Sequence, residues 1–191
     1  MGRIVVINHI TLDGVMQSPA APDEDPRDGF THGGWGAARV DEVLGRFMGQ
    51  RMGGGGSDGG LLLGRRTYEQ FASYWPTAPS DNPYTAVINS RPKYVVSRTL
   101  TGPFEWANST LVRNLDDLRV DGTLVVLGSG VLTRSLLADH RVDDLLLMIH
   151  PIVLGTGRTL FGEGLPATEF RLVETLPTTT GVIIASYQRD R

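Results

Sequence analysis

Apolar residues along this chain come mostly in short runs bounded by turn-forming residues. Ile4–Ile10 is dominated by β-branched apolar residues, the pattern of a central strand. Leu61–Leu63, Tyr94–Ser97, Thr110–Arg113, Thr123–Leu127 and Leu145–Ile149 repeat that pattern on a shorter scale. Between them the period changes. Ala37–Met52 carries Val40, Val43, Leu44, Phe47 and Met48 at helical spacing, which predicts an amphipathic helix. Further helices are predicted over Arg66–Tyr74, stopped before Pro76, over Asn82–Asn89, ended by Arg91-Pro92, and over Ser129–Ala138. Phe170–Thr175 and Val182–Gln188 are long enough to pair across Pro177–Gly181 as a terminal antiparallel hairpin. Strands alternating with helices predict an α/β domain with a mainly parallel sheet covered on both faces. The hairpin makes that sheet mixed.

The polar stretches fill in the connections. Gln17–Gly36 is rich in Pro, Gly and acidic residues and reads as a long, mobile surface loop. Its Ser18–Gly36 portion follows the exit of the first strand at Asp13, so it is expected to close over a site there as a lid. Gly53–Gly60 reads as a flexible connector, too short to separate two domains. With 191 residues, one domain spanning 1–191 is expected.

Bulk composition narrows the function classes. Hydrophobic content of 40% and charged content of 20% are those of a soluble globular protein. A net charge of −3 without a basic block argues against nucleic acid as a partner. A local arginine cluster could still oppose that sign and hold an anionic ligand. The absence of cysteine excludes thiol catalysis and Cys-based metal sites. No apolar stretch is long enough to cross a membrane, and Met1–Val6 reads as the start of the first strand of a cytoplasmic protein. A homodimer is compatible with the sequence.

Two strand-to-helix junctions carry the candidate chemistry. They are Leu61-Leu62-Leu63-Gly64-Arg65-Arg66-Thr67 and Val125-Val126-Leu127-Gly128-Ser129-Gly130-Val131-Leu132. A helix start presents unpaired N–H groups and the positive end of its dipole, so it attracts phosphate. Two such starts, the first bearing Arg65 and Arg66, point to a ligand with several phosphates. An ordinary dinucleotide fingerprint would follow the first strand and have a third glycine. Here the pair Gly128 and Gly130 comes late and the third is missing.

The order of strings resembles the dihydrofolate reductase superfamily, which includes the reductase domain of riboflavin biosynthesis. The resemblance runs through Thr11-Leu12-Asp13-Gly14, Gly64-Arg65-Arg66-Thr67, Val95-Val96-Ser97-Arg98, Gly128-Ser129-Gly130 and His150–Phe161. It implies a three-layer α/β fold with a mixed, mainly parallel sheet flanked by helices and a C-terminal antiparallel hairpin. It also implies NADPH as cofactor, with Gly64, Arg65, Arg66 and Thr67 at the phosphates. Ser97, Arg98 and Thr99 would line a 2′-phosphate pocket, with Arg65 and Arg98 clamping it from two sides. Gly128, Ser129, Gly130, Val131 and Leu132 would approach the pyrophosphate or nicotinamide ribose. Each of these strings also has a purely structural reading as a turn or an exposed helix start.

The catalytic acid is less determined. Asp13 sits at the strand exit where the family places active-site groups, but Asp-Gly is also an ordinary turn. Dihydrofolate reductases put a buried carboxylate on the first long helix. If Phe47 matches that family's helix aromatic, the acid position falls on Val43; with a slipped register it falls on Asp41. Asp41 and Glu42 also suit the first turn as dipole partners. His9 and His150 read as packed, hydrogen-bonded residues, and the four histidines show no metal-ligand spacing. Gly155-Thr156-Gly157-Arg158 reads either as a further anion nest or as a glycine turn with an exposed arginine.

The expected function is an NADPH-dependent reductase of a small heterocycle, pterin-like or pyrimidine. Two departures bear on the substrate. Leu132 and Thr133 stand near where dihydrofolate reductases often have an aromatic residue, and Val15 and Met16 stand where riboflavin reductases have a basic one. The alternatives are 5-amino-6-(5-phosphoribosylamino)uracil reduction and a non-catalytic nucleotide sensor.

Overall fold

A computed structural model of the chain describes residues 2–53, 59–82 and 84–190. The strands are β1 (Arg3–Thr11), β2 (Gly60–Gly64), β3 (Lys93–Val96), β4 (Ser109–Val112), β5 (Thr123–Leu127), β6 (Asp144–His150), β7 (Phe170–Pro177) and β8 (Ile183–Arg189). The α-helices are α1 (Glu42–Gly53), α2 (Arg65–Tyr74), α3 (Thr85–Ser90) and α4 (Gly130–Ala138). They build one eight-stranded sheet in the order β4-β3-β2-β5-β1-β6-β8-β7. β1 runs parallel to β5 and β6, β2 to β3 and β5, and β3 to β4, while β8 is antiparallel to β6 and β7.

Side-chain alternation along the strands explains the layers. Ile4, Val6, Leu62, Leu124 and Val126 bury on one face with Leu132, Leu136 and Leu137 of α4. Ile7, Leu61, Leu63, Val95, Val125 and Met148 bury on the other with Leu44 and Phe47 of α1, Tyr68 of α2 and Ile88 of α3. A parallel strand buried on both faces needs apolar residues at nearly every position, which is why these strands read as unbroken runs. The parallel strands all end at the same edge of the sheet, where β2 and β5 feed directly into α2 and α4.

Three expectations change. The helix expected over Ala37–Met52 starts only at Glu42; Ala37–Arg39 is a separate 3-10 turn, and Val40 is extended. The helix expected over Asn82–Asn89 spans Thr85–Ser90, and Pro83 lies outside the described residues. Of the expected Gly53–Gly60 connector, residues 54–58 also lie outside them.

The third change concerns Gln17–Gly36, whose composition suggested mobility. Phe30 and Trp35 of this segment pack with Val15 into a third small core. The Trp35 indole N–H donates to the Gln17 carbonyl at 2.6 Å, and the Gln17 amide donates to the carbonyls of Asp25 and Arg27. The Ser18 hydroxyl accepts from the Asp25 N–H at 3.0 Å and donates to the Ala21 carbonyl. A segment with this much internal bonding and aromatic burial has an ordered ground state. Its anchors are a few residues spread through a polar stretch.

Candidate functional site

A cavity of about 930 Å³ opens at the C-terminal edge of the parallel strands. Its floor includes Ile7, Asn8 and His9 of β1 and Leu127 of β5. Both glycine junctions line it. Gly128 and Ser129 hold positive φ, +61° and 57°, a left-handed conformation that costs little at glycine and persists at serine only where surrounding bonds demand it. Those bonds are present. The Ser129 hydroxyl accepts from the Gly64 N–H at 2.9 Å and donates to the Thr67 hydroxyl at 2.8 Å. The two junctions are thereby tied side by side.

Neither α2 nor α4 has a side-chain N-cap. Their first-turn N–H groups are thus left for a ligand or solvent, with both dipoles positive at the same edge. A Cβ on Gly130 would lie 2.6 Å from the Met16 sulfur, so a larger residue here would have to push the Met16 side chain aside. Arg65, Arg66, Arg98 and Arg134 add positive charge around the same cavity. Arg65 faces Glu69 at 3.7 Å in an exposed pair, a weak tie that a phosphate can displace.

The structure brings Gly64, Arg65, Arg66, Thr67, Arg98, Gly128, Ser129, Gly130, Val131 and Leu132 together around one cavity. Ser97 and Thr99 are not among its lining residues. The Ser97 hydroxyl accepts from the N–H groups of Thr99 and Leu100 at 3.3 and 2.9 Å, turning the chain after β3 and aiming Arg98. Asp13 and Asp41 also lie off the lining. The Thr11 hydroxyl and the Gly155 and Leu154 N–H groups hold the Asp13 carboxyl below its ordinary pKa. The Thr179 hydroxyl and the Leu44 N–H do the same for Asp41, which caps α1 and pins the β7–β8 turn.

The cavity wall from α1 and its approach is Val40, Leu44, Gly45 and Met48. The wall position on α1 is Leu44 and not the expected Val43, which is not among the lining residues. No carboxylate of α1 lines the cavity. In the Gly155–Arg158 turn a Cβ on Gly157 would collide with Phe30 and Val15, the Arg158 N–H donates to the Gln17 side-chain oxygen, and the Arg158 guanidinium pairs with Asp28 at 2.7 Å while Arg158 also lines the cavity.

Other lining residues were not singled out from sequence. Arg134 lies one helical turn beyond Gly130, a spacing that could have exposed it. Glu24 comes from the loop; burial pushes its carboxyl above the usual range, although it accepts from the Ala20 N–H at 2.8 Å. His9, expected from sequence as a packed, hydrogen-bonded residue, also lines the cavity and bonds His150 through Nδ1···Nε2 at 2.8 Å. Among the described residues no group of three or more His, Asp or Glu could hold a metal ion, and no helix is long and apolar enough to cross a membrane.

The strand order, the layers and the cavity at this edge define a dihydrofolate reductase-like fold. The chain is similar to a solved protein of Shewanella sp. PV-4 ascribed to riboflavin biosynthesis (TM-score 0.66, 23% identity, 99% of each chain covered). It is similar to a pyrimidine reductase-like protein of Corynebacterium diphtheriae (TM-score 0.65, 14% identity, 100% of this chain and 92% of that one). It also matches the dihydrofolate reductase of Enterococcus faecalis complexed with NADP(H) and RAB-propyl (TM-score 0.61, 17% identity, 100% and 98%). The chain belongs to the RibD C-terminal domain family, whose model matches residues 3–184. A relative, the uncharacterized protein YyaP of Bacillus subtilis strain 168, is 26% identical over 137 residues, 66% of this chain and 72% of that protein.

Proposed function

We propose that the chain is an NADPH-dependent reductase of a small, flat heterocycle. The observation that carries the reading is the pair of uncapped helix starts, tied together by Ser129 and flanked by Arg65 and Arg98 on one cavity. That donor set fits a dinucleotide with a third phosphate. The open N–H groups of α2 and α4 suit a pyrophosphate, and the glycine backbone at 128–130 permits close approach. When bound, the cofactor supplies hydride. The chain's own contribution is binding, orientation and exclusion of water. Thr67, whose oxygen already accepts from Ser129, has its own proton free to donate to a phosphate. Arg65 and Arg98 hold the 2′-phosphate in charge-assisted bonds. Leu44, Met48 and Met148 give an apolar wall for the substrate ring. Asp13 and Asp41 are structural: their oxygens are committed to backbone and threonine donors.

The pyrimidine branch is the favoured substrate class over folate, because α1 offers no cavity carboxylate for a pterin. The test is NADPH oxidation, followed by absorbance, against a panel of pterins and pyrimidines. Turnover with a pyrimidine and none with dihydrofolate is expected. Tight NADPH binding without turnover on any member would instead favour a sensor module. No NADPH binding would overturn both readings.

A further inference from the structure

His9 of β1 lies opposite Met148 of β6, and His150 lies opposite Thr11, so the two histidines are diagonal neighbours on one face of the sheet; their bond spans 141 positions of sequence. The neighbouring surroundings make the pair directional. His150 is fully buried, the Trp35 ring meets it edge-on, and its Nδ1 has no hydrogen-bond partner. His9 reaches the cavity floor, and with Nδ1 spent on His150 its remaining ring nitrogen is Nε2.

Only one proton can occupy the Nδ1···Nε2 bond. If His9 supplied it, a neutral His150 would carry its own proton on Nδ1, a buried N–H with no acceptor. If His150 supplies it, His150 Nδ1 is a bare lone pair and His9 carries its proton on Nε2. A buried N–H without a partner is rarer and costlier than an under-satisfied acceptor. Burial holds both rings neutral at pH 7, with each pKa lowered to about 4; the partner ring adds to the effect at His9 and the Arg39 charge at His150.

We propose that His150 fixes His9 as a neutral Nε2–H donor, so that His9 orients the substrate by its acceptor edge, a carbonyl oxygen or an unprotonated ring nitrogen. This rests on the reductase reading for the existence of a substrate, but not for the tautomer. His9 is the contact residue and His150 a positioning residue that acts through it. A donor edge, such as an exocyclic amine in the same place, meets a second donor and is rejected.

The first measurement needs no variant and no ligand. Nitrogen-15 spectra of the histidine-labelled full chain at pH 7 should show both His9 and His150 protonated at Nε2 and bare at Nδ1. A proton on His9 Nδ1, or a cationic His9, overturns the proposal. The second measurement uses 5,6-diaminouracil and 2,4,5,6-tetraaminopyrimidine as probes on the NADPH-saturated protein. The diaminouracil should bind more tightly, by about tenfold, and shift the His9 Nε2 resonance. His9→Leu should remove that preference, His9→Gln should restore part of it through its amide donor, and His150→Phe should weaken the diaminouracil in a way not additive with His9→Leu. NADPH affinity should stay unchanged throughout. Equal or absent binding of the probes, or a diaminouracil affinity indifferent to His9→Leu, overturns the substrate role. Loss of NADPH binding in the native chain would instead overturn the reductase reading and leave the tautomer result standing.

Discussion

At the residue scale, Arg65 and Arg98 approach one cavity from separate strands. Each charge-assisted bond to phosphate contributes roughly 1.5–3 kcal/mol. Arg65→Ala or Arg98→Ala should therefore weaken NADPH by about tenfold to a hundredfold and leave NADH nearly unaffected, as read by fluorescence titration. Equal affinity of the native chain for the two cofactors would remove the basis for the clamp. Asp41 makes a contrasting case. Its carboxylate faces Leu44 and Thr179 rather than the cavity. Asp41→Asn should keep the helix cap, lose the acceptor for Thr179, lower the melting temperature by a few degrees, and change turnover by less than about tenfold. A large rate loss at unchanged stability would return Asp41 to the catalytic list. The residues were legible from sequence wherever chemistry sits beside a turn, as with Gly64-Arg65-Arg66-Thr67. They were not legible where the partner is remote: nothing local to Asp41 announces a bond spanning 138 positions.

At the scale of elements, the two junctions behave as one unit. Gly64 N–H donates to Ser129, and Ser129 donates to Thr67, so a single hydroxyl orders both helix starts. Ser129→Ala leaves the part-buried Gly64 N–H without its acceptor and should cost about 1–3 kcal/mol of stability, read by denaturant unfolding. It should also raise the NADPH Kd, since the first turn of α2 loses its tie to α4. Ser129→Gly relaxes the left-handed backbone yet loses the same bonds, so it should recover stability without recovering affinity. If both variants bind NADPH like the native chain, the tie does not serve the cofactor. The strands and their glycine breaks were visible in the apolar runs because a strand buried on two faces leaves no other pattern. The start of α1 was not, because Val40 belongs to the cavity wall and mimics the helical stripe that begins after Asp41. The anchoring of the Gln17–Gly36 segment was hidden for a related reason: Phe30 and Trp35 pack with Val15, and isolated aromatics among prolines and acids carry no periodicity.

At the scale of the whole molecule, the sheet fixes which distant residues share a dielectric, and this gives the protein an acid-sensitive core. Unfolded, His9 and His150 titrate near 6.5; folded, each is lowered to about 4 by burial. Between those values the unfolded chain binds more protons than the folded one, so stability rises with pH across the window. The contribution is complete above pH 6.5 and is lost as pH falls towards 4. For one histidine kept neutral it is on the order of 3 kcal/mol. Glu24 acts in the opposite sense, since its folded carboxyl titrates above its ordinary value and protonation there favours the folded state. Asp13, Asp25 and Asp41 are lowered and lose their contribution only below the ordinary carboxylate range. The histidine pair is therefore expected to dominate the loss between pH 6.5 and 4. Urea unfolding at intervals across that range should show a steady fall in stability for the native chain. A His9→Leu, His150→Phe double variant, which removes both titrating rings, should show a much flatter profile. A native profile as flat as that of the variant would mean the two rings are protonated in the folded protein, and it would remove the neutral pair from the core of the site.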